Sequence, residues 1–281
     1  MHYINYKVCE ASLCKLLKCN GKLKNKFDVL ISICNFAHIQ TLMSDNMLIK
    51  VCGLCEKENI REVIALGVDM IGFTFYSGNP RYVKMISANA GIIPDYSRER
   101  FEKLRRAGKA RQDMDEEARN KTVQKAGVFV DDMPQTIISR IYNYNLQYVQ
   151  LNGDESSIMI DNLKRSVVPD IQKDLKIIKR ITVSGKDDLE KSLGYEGHAD
   201  LLLFYMKSVN GSKKPSLDIL EGYKGDIPFL LGYDFDIEDA EVIRKFSHKM
   251  FAGIDINDCF ETETGMKDVE RLGAFIREAR K

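Results

Sequence analysis

Met47-Leu48-Ile49-Lys50-Val51-Cys52-Gly53 is a short apolar run that ends on a cysteine and a glycine. From Glu56 to Leu66, Ile60, Val63 and Ile64 fall on one face at helical spacing, which predicts a helix. Cys52 is thereby placed at the C-terminal tip of a strand, at the start of a loop into a helix. In parallel α/β folds that edge carries the chemistry. A thiol there serves as a base or nucleophile if it ionises. The same position also suits an inert buried cysteine, and position alone leaves both readings open.

The strand-then-helix unit recurs to the C-terminus. Apolar runs fall at 47–52, 69–75, 126–130, 147–151, 175–182, 200–204, 227–231 and 250–256. Each is mostly Val, Ile, Leu, Phe or Met, as expected of strands covered on both faces. Helical patterns occupy 56–66, 134–144, 156–166, 187–194, 216–223, 238–246 and 267–279. Eight strands alternating with helices predict an α/β protein of the (β/α)8 TIM-barrel class. A doubly wound open sheet is the alternative, but no Gly-rich dinucleotide loop follows the first strand. The gap between the second and third runs is the least regular. It holds Pro94 and a charged stretch from Arg98 to Lys125, read as a solvated helix with ragged ends.

Residues 1–46 differ from the rest. They carry Cys9, Cys14, Cys19 and Cys34, a basic cluster of Lys22, Lys24 and Lys26, and a mixed apolar run from Phe27 to Met43. Ser32, Asn35, His38 and Gln40 interrupt that run, so it is too polar and too short to span a bilayer. The charged part is long for a signal peptide, and no small-x-small cleavage site follows. The five-residue cysteine spacing matches no zinc pattern. Residues 1–46 are therefore read as a dispensable N-terminal extension, with the barrel domain running from Met47 to Lys281.

The bulk numbers exclude several classes. A net charge of +1 gives no global attraction to nucleic acid or an anionic membrane. Seven cysteines, an odd number without two CxxC pairs, fit the reducing cytoplasm better than a disulfide framework. No two of the four histidines lie close enough to form a metal-ligand motif.

In a barrel the site is built from the loops after the strands. Cys52 and Gly53 follow the first strand. Tyr76-Ser77-Gly78-Asn79-Pro80-Arg81-Tyr82 follows the second, and puts Arg81 after a rigid proline as a candidate clamp for carboxylate or phosphate, or as an ordinary surface arginine. Asn152, Gly153, Asp154 and Glu155 follow the fourth strand, the two acids also suiting a helix start. Tyr205 sits at the end of the sixth, Gly232-Tyr233-Asp234 at the seventh, and Asn257-Asp258-Cys259-Phe260-Glu261 at the eighth.

The segments KVCGL, GFTFYSGNPRYV, GVFVDD, YVQLNGDES, PFLLG and AGIDINDCFETETGMKDVERL resemble, in order, the phosphoribosylanthranilate isomerase family of tryptophan biosynthesis. The resemblance runs from about Met47 to the C-terminus; residues 1–46 and much of 87–125 lie outside it. It implies a TIM barrel that converts N-(5′-phosphoribosyl)anthranilate to the 1-deoxyribulose 5-phosphate product by an Amadori rearrangement, without cofactor or metal. It also implies a cytoplasmic enzyme, monomer or homodimer, with a phosphorylated small molecule as its partner and neither nucleic acid nor membrane. Cys52 maps onto the family's general base and Arg81 onto its anthranilate-carboxylate ligand.

The departures are as specific as the matches. Tyr205 occupies the position of the family's general acid, an aspartate, and a phenol gives up a proton less readily. The family's phosphate loops are glycine-rich, letting backbone amides close on the anion. Here Tyr233-Asp234 follow Gly232, and Asp258-Cys259 stand in the second loop. The family's strand-four histidine is Asn152. Two readings follow: a working isomerase with Lys213 or Lys214 compensating at the phosphate, or a catalytically impaired paralogue kept as a binding or scaffolding barrel.

Overall fold

A computed structural model of the chain describes residues 47–83, 123–208 and 214–281. The extension 1–46, most of the charged stretch 98–125, and Lys213 lie outside the described residues. Met47–Lys281 forms one compact unit.

Eight parallel strands close into a barrel in sequence order. They are β1 (Leu48–Val51), β2 (Met70–Thr74), β3 (Gln124–Phe129), β4 (Tyr148–Leu151), β5 (Lys176–Val183), β6 (Leu201–Met206), β7 (Phe229–Gly232) and β8 (Phe251–Ile256). Pairing of β1 with β8, from Leu48 opposite Gly253 to Val51 opposite Ile256, closes the ring. Gly253 permits that closure, because a Cβ there would stand 2.0 Å from the Leu48 carbonyl oxygen. Every strand agrees with the sequence expectation to within two residues at each end.

The helices are α1 (Lys57–Ala65), α2 (Pro134–Tyr144), α3 (Ser157–Val167), α4 (Asp187–Glu190), α5 (Asp239–Lys245) and α6 (Val269–Ala279). Their starts follow from local chemistry. The side chains of Glu56, Ser156 and Asp268 accept hydrogen bonds from the backbone of Asn59, Met159 and Arg271. Pro134 opens α2, and Asn145 ends it in the left-handed conformation at φ 48°. Two expected helices are reduced. The segment 187–194 becomes the short α4 followed by a 3-10 turn over Lys191–Tyr195, and 216–223 becomes a 3-10 turn over Leu217–Gly222. Gly194 lies inside the first turn, while Pro215 and Gly222 bracket the second, leaving too little chain for α turns.

Alternation along the strands divides the core into two layers. Ile49, Val51, Ile71, Phe73, Leu202 and Phe204 pack outward against the helices. Leu48, Met70, Ala126, Tyr148, Ile178, Leu203 and Leu230 fill the barrel interior. Residues further along the inward set, Lys50, Cys52, Arg180 and Tyr205 among them, must therefore reach the C-terminal mouth. A small antiparallel hairpin, β9 (Glu261–Glu263) with β10 (Met266–Lys267), follows β8 at that rim. Among the described residues, no helix is long and apolar enough to cross a membrane.

Candidate active site at the barrel mouth

Cys52 lies just past β1 and is 3% exposed. Its backbone N–H donates to the Ile256 carbonyl at 2.7 Å, extending the β1–β8 pairing by one residue. Its thiol sits against β2: a Cβ on Gly72 would stand 2.5 Å from Cys52 Sγ. Two residues earlier, Lys50 Nζ makes a 2.6 Å ion pair with Asp255 Oδ1 inside the barrel, with both side chains almost fully buried. Lys50 faces Cys52 as well as Asp255. Burial pulls the Lys50 ammonium down, but Asp255 and Cys52 outweigh it and hold it above its ordinary value. Burial pushes the Cys52 thiol up, and the nearby cations Lys50 and Lys267 offset only part of that. The resting thiol is thus protonated, with a fixed positive charge beside it to receive a thiolate.

Gly53 is required twice. Its φ is 76°, and a Cβ would meet Arg81 Cδ at 2.6 Å. Arg81 is delivered by a loop that folds back on β2, through a Thr74–Tyr82 bridge and a 2.8 Å bond from its own N–H to Asn79 Oδ1. Its guanidinium grips Glu261, with Nη2–Oε2 at 2.6 Å and Nε–Oε1 at 2.9 Å. Lys267 Nζ joins Glu261 Oε1 at 2.8 Å and also donates to the Asn257 carbonyl. Burial opposes ionisation of Glu261, but Arg81 and Lys267 together hold its carboxyl below the usual range. Arg81 is therefore at the rim against Gly53 and held in orientation by the hairpin. Its Nη1 makes no hydrogen bond among the described residues.

On the opposite arc, Tyr205 projects inward from β6. Its hydroxyl donates to Asp234 Oδ1 at 3.1 Å, and the Arg180 guanidinium lies 4.2 Å from its ring centre. Burial pushes the phenol well above its ordinary value, with the carboxylates of Asp234 and Asp258 adding to it. Gly232, whose Cβ would crowd Leu203 and Tyr205, ends β7 in register with Tyr205.

The altered loops separate by alternation. Asp234 faces the mouth and is exposed, as is Asp258. Tyr233 turns the other way: it is buried and stacks on Phe235 at 4.1 Å. Cys259 is buried beside it, its sulfur accepting from Phe235 N–H at 3.1 Å and donating to the Tyr233 carbonyl. Of Tyr233, Asp234, Asp258 and Cys259, only the two aspartates direct side chains toward the mouth. Lys214, expected to compensate at the phosphate, is bound to Asp239 Oδ2 at 2.5 Å and the Asp234 carbonyl at 2.9 Å. Asn152 is at the end of β4, accepting from Gln150 Nε2 at 2.9 Å. Glu155 is structural: it pairs with buried Lys179 at 2.8 Å and accepts from the Asp131 N–H.

Sequence reasoning gave no role to Lys50, Asp255, Gly72, Arg180 or Lys267, and named Glu261 only as part of the loop after the eighth strand. The signal for the first pair was available, since a lone charge on an apolar strand read as buried needs a partner. Among the described residues, no cluster of three or more His, Cys, Asp or Glu side chains could hold a metal ion.

The sequence model of the family described as N-(5′-phosphoribosyl)anthranilate (PRA) isomerase matches residues 95–278. The N-(5′-phosphoribosyl)anthranilate isomerase of Parabacteroides distasonis is 37% identical over 235 residues, covering 83% of this chain and 93% of the relative. That of Phocaeicola vulgatus is 30% identical, covering 83% and 97%. Among solved structures, phosphoribosylanthranilate isomerase from Thermotoga maritima superposes with a TM-score of 0.58 over 84% of this chain and 99% of that one. At 21% identity this last likeness speaks for the barrel alone.

Proposed function

The chain belongs to the N-(5′-phosphoribosyl)anthranilate isomerase family, and from that premise we propose that it catalyses the family's rearrangement with Cys52 as the general base. The furanose ring oxygen of the substrate takes a proton and the C1′–oxygen bond breaks. The anthranilate nitrogen lone pair closes to a C1′ iminium. Cys52, once its own proton is released to solvent and the thiolate faces the Lys50 ammonium, removes the C2′ proton, and those electrons neutralise the iminium as an enolamine. Return of a proton to C1′ and loss of the C2′ hydroxyl proton leave the C2′ ketone. The iminium is the electron sink, so the steps need no redox partner.

The observation that carries this reading is the placement of Cys52, inward at the β1 tip beside the Lys50 ammonium and against the Gly72 backbone. A thiolate beside a fixed cation is favoured relative to the same group in an apolar wall. Arg81, oriented by Glu261, offers its remaining edge to the anthranilate carboxylate. Tyr205 stands at the position of the family's acid and presents its hydroxyl to the mouth. Asn152, Gly232 and the backbone of the loops carrying Tyr233, Asp234, Asp258 and Cys259 complete the substrate-binding rim. The enzyme works in the cytoplasm on a phosphorylated small molecule as a monomer or homodimer, without nucleic acid, and residues 1–46 are dispensable to it.

The test is turnover of N-(5′-phosphoribosyl)anthranilate by Cys52→Ser and Cys55→Ser. Serine at 52 is a far weaker base at neutral pH, so that variant should lose activity while Cys55→Ser keeps it. Equal activities would remove Cys52 from the mechanism.

A further inference from the structure

We propose that Arg180, on β5, is the anion handle of this barrel and holds the phosphate of the substrate. The proposal rests on the isomerase reading for the identity of the ligand, and on the following geometry for the site.

Arg180 shares its inward face with Ile178 of the interior cluster and lies one layer nearer the mouth. Its guanidinium stacks on the Tyr205 ring at 4.2 Å. The Tyr205 hydroxyl is in turn held by Asp234. The planar fork is thereby oriented before any ligand arrives, which lowers the ordering cost of binding.

Its charge is nonetheless unanswered. Arg180 enters no ion pair among the described residues, and its Nε is buried without a hydrogen-bond partner. The other cations of the mouth are matched: Lys50 by Asp255, and Arg81 and Lys267 by Glu261. A buried donor without an acceptor is costly, and native proteins keep few of them. A ligand oxygen at Arg180 removes that cost, and a guanidinium fork matches the oxygens of a phosphomonoester.

The barrel order selects phosphate over the second anion of the same substrate. Arg81 follows β2 and Arg180 lies on β5, three strands away around a ring of eight. A ligand with an anion at each end can meet both, with its carboxylate at Arg81 beside Cys52 and its phosphate on the far arc. The tips of β7 and β8 offer a dianion the exposed carboxylates of Asp234 and Asp258 instead. Like charges at contact distance repel one another even where the surroundings screen them. Arg180 therefore takes over from loops whose glycines are gone.

The experiment measures binding of ribose 5-phosphate and of ribose to the full chain by calorimetry, for wild type, Arg180→Gln and Arg180→Lys. The wild type should prefer ribose 5-phosphate over ribose. Arg180→Gln should weaken ribose 5-phosphate by at least about tenfold and leave ribose unchanged. Arg180→Lys, which keeps the charge and loses the fork, should fall between them. Undiminished ribose 5-phosphate binding by Arg180→Gln, or no preference for the phosphate in the wild type, overturns the proposal. Cys52→Ser, run beside them, should bind ribose 5-phosphate like wild type. Loss of turnover bears on the isomerase reading and loss of phosphate binding on Arg180, so the two failures are distinguishable.

Discussion

Replacing Gly72 by alanine should cost both stability and turnover, through one contact. The new Cβ would stand 2.5 Å from Cys52 Sγ, 3.1 Å from its Cβ and 3.2 Å from its Cα. Comfortable separation for such atoms is about 3.5–4 Å, so the sulfur overlaps by roughly an ångström. The strands cannot part freely to relieve it, because β1 and β2 pair at Lys50–Met70 and Val51–Ile71, immediately before the clash. The thiol must turn or β2 must bend, and overpacking of this kind costs about 1–3 kcal/mol. For a barrel of this size that is a fall in Tm of about 2–12 °C. Displacement of the base by about an ångström should also lower kcat on the order of a hundredfold.

A double-mutant cycle separates the clash from a general intolerance of alanine in β2. Cys52→Ala removes the sulfur and its 2.5 Å contact. In that background Gly72→Ala should destabilise by about 1 kcal/mol less, read from urea unfolding. Equal penalties in the two backgrounds would refute the reasoning, as would full turnover by Gly72→Ala, since Sγ would then not lie where the glycine leaves room for it.

Three further outcomes are expected. Asp255→Asn strands the Lys50 ammonium in the interior and should destabilise by about 3–5 kcal/mol in urea, with Lys50→Met on the same background recovering part of the loss. Burial pushes the Cys259 thiol from 9.0 up to about 12, so the folded chain keeps a proton that the unfolded chain releases; the corresponding stability is present below about pH 9 and lost as pH rises toward 12. Cys259→Ala should flatten that limb of a plot of Tm against pH, and an unchanged limb would assign the loss to other groups. A chain beginning at Met47 should melt within a few degrees of the full chain, because termini outside a sheet contribute little; a large drop would show that residues 1–46 stabilise the barrel.

The eight strands were legible because a parallel barrel buries both faces of each, so most of them read as mainly apolar runs. The turns at 191–195 and 217–222 were less so, since a helical period over six residues cannot distinguish 3-10 from α when Gly or Pro interrupts it. Cys52 and Arg81 could be placed because each sits in a loop joined directly to a legible strand. The approach of Glu261 and Lys267 to Arg81 was not legible, because it depends on a hairpin with no strong alternation of its own.

The loop departures show what alternation adds to a motif comparison. By sequence, Tyr233 and Asp234 stand together where glycines are expected, and both look like obstacles to a phosphate. With Gly232 inward and in register with Tyr205, the next side chain must point to the helices and the one after it to the mouth. Tyr233 accordingly packs on Phe235 while Asp234 takes the Tyr205 hydroxyl. Three residues that look unrelated in the chain, Arg180, Tyr205 and Asp234, then form one stacked and hydrogen-bonded unit on neighbouring strands. On β5, on β6 and just past β7, a guanidinium, a phenol and a carboxylate hold each other in place. Removing any one of these three side chains therefore takes away a contact on which the orientation of the unit depends.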